Sequence, residues 1–220
     1  KTTTTSMMAL ILAEAGLDPT IVIGGKFNNI GAGAKLGKGE FMVAEADESD
    51  GSFMRLFPVY SIVTNIDSDH LDYYGTMDIV KNTFFSFIEK IPFYGLSVIC
   101  IDDDNIRDIL KYIKVRHLGY GFSDDADLRA VNYSADGFSN AFDVLYHEKK
   151  IGRIQLNIPG KHNVLNALAT IGIALELEIS FSTIKRALSQ FGGAQRRFQI
   201  KSDARDILVV DDYAHHPTEI

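Results

Sequence analysis

The stretch FMVAEADESDGSF, Phe41 to Phe53, joins an apolar run to a group of carboxylates. Phe41 to Ala44 reads as a buried parallel strand, and Glu45, Asp47, Glu48 and Asp50 fall at or beyond its C-terminal end. In open α/β sheets that edge is where ligands bind. Clustered carboxylates repel a nucleotide unless a cation intervenes, which makes Mg2+ the reasonable partner; a solvated acidic loop is the plain alternative. Gly51-Ser52 permits close backbone approach. The stretch TNIDSDHLDYYG, Thr64 to Gly75, repeats the arrangement, with Asn65, Asp67, Asp69, His70 and Asp72 following the apolar strand Tyr60 to Thr64. Carboxylates around His70 favour its charged form and a metal its neutral one, so its state depends on what is bound.

Outward from these stretches the pattern alternates. Helical spacing from Thr5 ends at Gly16, and a short buried strand, Thr20 to Ile23, follows. Asp78 to Lys90 is predicted as a helix stopped by Pro92, and Leu96 to Ile101 as a further strand. Between about Val115 and Ile158 the pattern changes to short alternating runs, Leu128 to Tyr133, Ala141 to Tyr146 and Arg153 to Ile158, which predict an antiparallel appendage. Two helices follow, His162 to Leu177 and Phe181 to Gln190, the second ending near Gly192-Gly193. A last strand, Ile207 to Val210, leads into Asp211 and Asp212 so near the end that it cannot complete a domain. Residues from about Gln195 onward are expected to open a second domain.

A chain of 220 residues can bury one ordinary core and part of another. Its net charge of −7 argues against non-specific nucleic-acid binding, so anionic ligands must be held by local devices. No apolar run approaches the ~20 residues of a membrane span, and no signal-peptide layout is present. The single cysteine, Cys100, reads as a buried strand thiol, with the reduced cytoplasm as its natural compartment.

Lys1-Thr2 before a helix is what would remain if a phosphate loop, G-x-x-x-x-G-K-[ST], were cut just before its lysine; a chance lysine ahead of a threonine run is the plain alternative. In an intact loop the backbone amides and helix N-terminus surround phosphates, the lysine pairs with the outer ones and the hydroxyl binds magnesium. In PGKHNVLNALA, Pro159 to Ala169, His162, Asn163 and Asn166 open a helix. Asn163 and Asn166 share one face, suited to a purine edge or, for Asn163, to helix capping. Arg196-Arg197 follows the glycine pair at the expected domain boundary, where a guanidinium senses phosphate or makes an ordinary surface salt bridge. In DDYAHHPTE, Asp211 to Glu219, the adjacent His215 and His216 point in different directions. Substrate contact or solvent exposure therefore fits that segment better than a metal site.

Taken in order, KTTTTSM, EADESDGSF, TNIDSDHLDYY, PGKHNVLNALA, and RRFQ with DDYAHHPTEI resemble the Mur ligases of peptidoglycan synthesis. The resemblance implies an α/β fold: a P-loop-type central ATPase domain with a mainly parallel sheet and a small antiparallel appendage over 1–194, and the start of a Rossmann-like C-terminal domain over 195–220. It implies ATP and Mg2+ as cofactors, UDP-N-acetylmuramate and L-alanine as substrates, and a cytoplasmic reaction through an acyl phosphate. By motif match Lys1, Thr2 and Thr3 meet the ATP phosphates, and Thr2, Glu45 and His70 meet magnesium. His70 also faces the sugar's carboxylate. His162, Asn163 and Asn166 lie at the adenine, Arg196 near the phosphates, Asp212 near the ribose, and Tyr213 and His215 at the alanine. The place where several sister ligases carry a carbamylated lysine falls on Phe85, with Lys81 a turn earlier, so no carbamate is expected. Rival readings are a ligase of a recycled murein tripeptide and a nucleotide-binding module without ligase activity. The segment by itself is expected to be inactive.

Overall fold

The computed structural model describes residues 1–24, 33–204, 206–215 and 217. Helix α1, Thr2–Glu14, is apolar nearly all round and is buried along most of its length, Met7, Ala9 and Ile11 completely. It ends in a Schellman motif: Gly16 takes φ +77°, its N–H reaches Ala13 O, and the Leu17 N–H reaches Leu12 O. The chain then enters a three-stranded sheet. In it β1, Thr20–Val22, lies between β2, Ala34–Lys35, which is antiparallel to it, and β3, Met42–Ala44, which is parallel.

The second sheet has six strands in sequence order: β4 (Tyr60–Val63), β5 (Leu96–Cys100), β6 (His117–Gly121), β7 (Leu128–Asp136), β8 (Ser139–Tyr146) and β9 (Lys149–Leu156). Pairing is parallel from β4 to β7 and antiparallel from β7 to β9, so the expected appendage continues the parallel sheet. Three short helical elements were not anticipated, a 3₁₀ turn at Ser52–Arg55, helix α2 at Leu71–Tyr74 and helix α4 at Asp104–Leu110, nor were the strands β2 and β6. Helix α4 starts where the Asp103 carboxylate accepts the Ile106 N–H. The predicted helix after Thr76 is α3, Met77–Ile88, capped by that threonine. The remaining helices are α5 (Lys161–Glu176) and α6 (Phe181–Ser189).

One expectation is corrected. The run Phe41 to Ala44 is not a buried strand, because β3 is the edge of its sheet among the described residues and Met42 is 64% exposed. An apolar composition cannot distinguish a covered strand from an edge. The fully buried strand is β5, over which α5 lies so closely that a Cβ on Gly172 would come within 3.0 Å of Val98. Leu168, Ile171, Val98 and Ile99 are completely buried and belong to the same core cluster; each such side chain contributes roughly 1.5–3 kcal/mol by leaving water. Cys100 lies in this layer, and burial pushes its thiol up to about 11, so it is an inert core residue. Helices α1 and α6 pack on α5, which brings the N-terminus of α1 beside that of α5. After α6 the chain forms a largely exposed antiparallel pair, β10 (Gln199–Ala204) and β11 (Ile207–Asp211). No described helix is long and apolar enough to cross a membrane.

Candidate functional site

Parallel pairing carries β1 and β3 to a common C-terminal edge, where the Glu45 N–H still reaches Val22 O. The Glu45 carboxylate accepts the Gly24 N–H on one oxygen and the Thr2 hydroxyl on the other, both at 2.9 Å. It therefore ties the first turn of α1 to the end of β1. Beside it the Lys1 ammonium reaches Asp47 at 3.0 Å and Glu48 at 2.8 Å. Desolvation opposes the Lys1 charge, but the two carboxylates outweigh it and hold its pKa above the ordinary lysine value. Desolvation likewise pushes Asp47 up, and the Ser49 N–H together with Lys1 bring it below the usual carboxylate range. Thr3 is half-buried in the same turn of α1. The acidic loop is held by its own bonds, Gly51 N–H to Glu48 O and Phe53 N–H to Asp47 O among them.

His70 sits in the left-handed region, φ 57°, at the entry to α2. Its N–H reaches one Asp69 oxygen at 2.9 Å and its Nε2 lies 3.4 Å from the other. The two acidic motifs are joined by Tyr74, whose hydroxyl donates to Glu48 O. Between them Gly51, Met54, Tyr73, Tyr74, Ile79 and Thr83 line an open cavity of about 530 Å³. Among the described residues no group of three or more His, Cys, Asp or Glu side chains is arranged to hold a metal. The converging donors are the Thr2 hydroxyl and the Glu45 carboxylate. They fit Mg2+, which takes oxygen ligands, binds through one or two carboxylates and keeps several waters.

At the N-terminus of α5, Asn163 donates from Nδ2 to Pro159 O at 2.6 Å, and Asn166 donates from Nδ2 to Asn163 Oδ1 at 3.2 Å. Thr4 donates to Asn166 Oδ1 at 2.9 Å. Asn163 therefore does not cap α5; its amide holds the preceding loop. That loop is also clamped by the buried Asn140, which donates to Ile158 O and Gly160 O and accepts from the Tyr133 hydroxyl. Gly160, at φ +93°, leaves space for the His162 ring, since a Cβ there would lie 2.4 Å from His162 Cε1. The surrounding protein lowers the His162 pKa by desolvation, and the Asp212 charge opposes this.

The Asp212 carboxylate accepts the Phe198 and Ala214 N–H groups, each at 2.8 Å. Arg196 lies 3.7 Å from Asp211, with its guanidinium 4.6 Å from the centre of the Tyr213 ring. Tyr213 in turn stands 5.0 Å from the His215 ring. His216 lies outside the described residues. Lys81 pairs with Asp108 at 2.6 Å and so ties α3 to α4. The sequence reading overlooked Thr4, Tyr74 and Asn140. Thr4 was hidden in a run of threonines, and the other two act through backbone carbonyls that carry no residue signature.

A parallel strand pair whose C-terminal edge gathers a helix N-terminus, a lysine, a hydroxyl and carboxylates has the layout at which α/β domains receive phosphate-bearing ligands. Residues 1–174 match the Mur ligase middle domain, and the chain belongs to that family. It is 57% identical over its whole length to the UDP-N-acetylmuramate–L-alanine ligase of Geotalea uraniireducens, covering 48% of that protein. The solved UDP-N-acetylmuramate-alanine ligase from Thermotoga maritima is 31% identical and superposes with a TM-score of 0.87, over 100% of this chain and 49% of that one. The UDP-N-acetylmuramate:L-alanyl-gamma-D-glutamyl-meso-diaminopimelate ligase from Neisseria meningitides gives 29% and 0.77, over 89% of this chain and 64% of its own. The chain spans about half the length of the curated relatives it matches.

Proposed function

We propose that this chain is the ATP-binding middle of an enzyme that joins L-alanine to the lactyl carboxylate of UDP-N-acetylmuramate, a cytoplasmic step of peptidoglycan precursor synthesis. The observation that carries the nucleotide part is the bond from Thr2 to Glu45, which sets a magnesium-type oxygen pair at the first turn of α1. The sugar and the amino acid come from the relatives' activities. Residues 1–194 form the ATPase unit, and 195–220 begin the unit that admits the amino acid.

A carboxylate is a poor electrophile, so ATP first converts it to an acyl phosphate; the amine then attacks and phosphate leaves through a tetrahedral intermediate. Lys1 and the amides of Thr2 and Thr3 hold the phosphates, with Lys1 exchanging its carboxylate partners for phosphate oxygens. Thr2, Glu45 and His70 would hold Mg2+, whose charge would offset repulsion between carboxylate and γ-phosphate. His162, Asn163 and Asn166 receive the adenine, Asp212 the ribose, Arg196 the phosphates, and Tyr213 and His215 the alanine. Positioning supplies much of the rest.

The test is ATP consumption by the full-length protein with UDP-N-acetylmuramate and either L-alanine or the murein tripeptide. Turnover is expected with L-alanine. Preference for tripeptide selects the recycling ligase instead, and hydrolysis that ignores the sugar selects a simple nucleotide module. The higher structural score of the alanine enzyme favours the first outcome.

A further inference from the structure

The side chains between α1 and α5 form a relay whose direction is set at one end. Pro159 O can only accept, so Asn163 must present its NH₂ to it. Asn163 Oδ1 is then left to accept, and Asn166 must supply the N–H. The Asn166 oxygen is thereby turned toward α1, and Thr4 must donate to it. Every hydrogen in the sequence is fixed by one backbone carbonyl, and that carbonyl sits in a loop clamped by Asn140.

The relay spans two helices. The N–H···O bond between the asparagines is 3.2 Å and the O–H···O bond from Thr4 to Asn166 is 2.9 Å, each toward the long end of its own range. Thr4 is itself 5% exposed, on a helix packed into the core. Its hydroxyl is therefore the hold that ties Asn166 on α5 to α1, whereas Asn163 holds it from within α5. With both inner positions satisfied, Asn166, which is half-buried, keeps one N–H for a ligand.

We infer that Thr4 is a positioning residue for the nucleotide base. It pins Asn166 so that an N–H, rather than a carbonyl, is offered to a ring-nitrogen acceptor of a purine. It also fixes the spacing between the phosphate end of the site, on α1, and the base end, on α5. This rests on the reading of α5 as the base end.

The experiment is calorimetric titration of the full-length protein with Mg-ADP, alongside steady-state kinetics, for Thr4→Val, Thr4→Ser and Asn166→Ala. Thr4→Val preserves shape and removes the donor. It should weaken Mg-ADP binding and raise KM for ATP by about three- to tenfold, the effect of losing one uncharged hydrogen bond. Turnover at saturating ATP should stay within about twofold, and Thr4→Ser should restore affinity. Unchanged binding in Thr4→Val, or a serine variant as weak as the valine one, overturns the inference. If Asn166→Ala also binds normally, the base is not at α5 and the underlying reading fails. If Asn166→Ala binds weakly while Thr4→Val does not, only the relay fails. Asn166→Asp, which keeps the acceptor for Thr4 but cannot donate to Asn163, serves if the valine variant does not fold, with weakened binding expected and normal binding overturning the relay.

Discussion

At the start of α1, Lys1 reaches two carboxylates, one of them 59% exposed, while at the start of α5 a neutral relay runs through Thr4, Asn166 and the buried Asn163. Exposed ion pairs contribute only about 0.2–1 kcal/mol, so Lys1 can change partners at little cost when phosphate arrives. The relay consists of directional bonds out of full contact with water, where an unsatisfied group costs about 1–3 kcal/mol. One end of the site is built to rearrange and the other to stay as folded.

The largest effect expected is at Glu45, where the phosphate end is anchored. Glu45→Ala should lower turnover of the full-length protein at least about 100-fold, the scale of removing one preorganised electrostatic group, with its circular dichroism unchanged. Near-normal turnover removes Glu45 from the site. Asn140→Ala attacks the fixed end, since it frees Ile158 O, Gly160 O and the Tyr133 hydroxyl. A loss of about 2–3 kcal/mol is expected in urea unfolding, with weaker nucleotide binding; a loss below 1 kcal/mol would show a looser loop than described.

Asp47→Asn combined with Glu48→Gln releases Lys1 from its competing partners and should tighten Mg-ADP binding by about two- to fivefold at low salt, less at high salt. Weaker binding would mean that the acids help to seat the nucleotide. The smallest effect is that of pH. The folded His162 pKa is lowered, so the unfolded chain holds more protons around and below the ordinary value of about 6.5. Stability is thus complete above that value and falls as pH drops through the folded pKa. His162→Gln should flatten this slope in thermal unfolding between pH 7 and 5. Lys1, raised, and Asp47, lowered, are both moved away from that window.

Legibility in the sequence follows the same division. The acidic motifs were readable because strand, carboxylates and glycine are contiguous, and the order of helices and strands followed from local period and stop signals. Whether Phe41 to Ala44 was covered or an edge depended on which strands lie beside it, and nothing in its own residues records that. The relay was out of reach for a related reason. Thr4 and Asn166 stand 162 residues apart, and the direction of their bond is set by a carbonyl of Pro159, whose side chain takes no part. Asparagines spaced by three were visible as a shared face; what they bond to was not.

The most direct test is the affinity of the full-length protein for ADP with and without Mg2+, in the natural sequence and in Glu45→Gln. Tighter binding with Mg2+ is expected in the natural protein and should be lost in the variant, which keeps the shape of Glu45 without its charge. Equal tightening by Mg2+ in both proteins would contradict a cation site at Thr2 and Glu45.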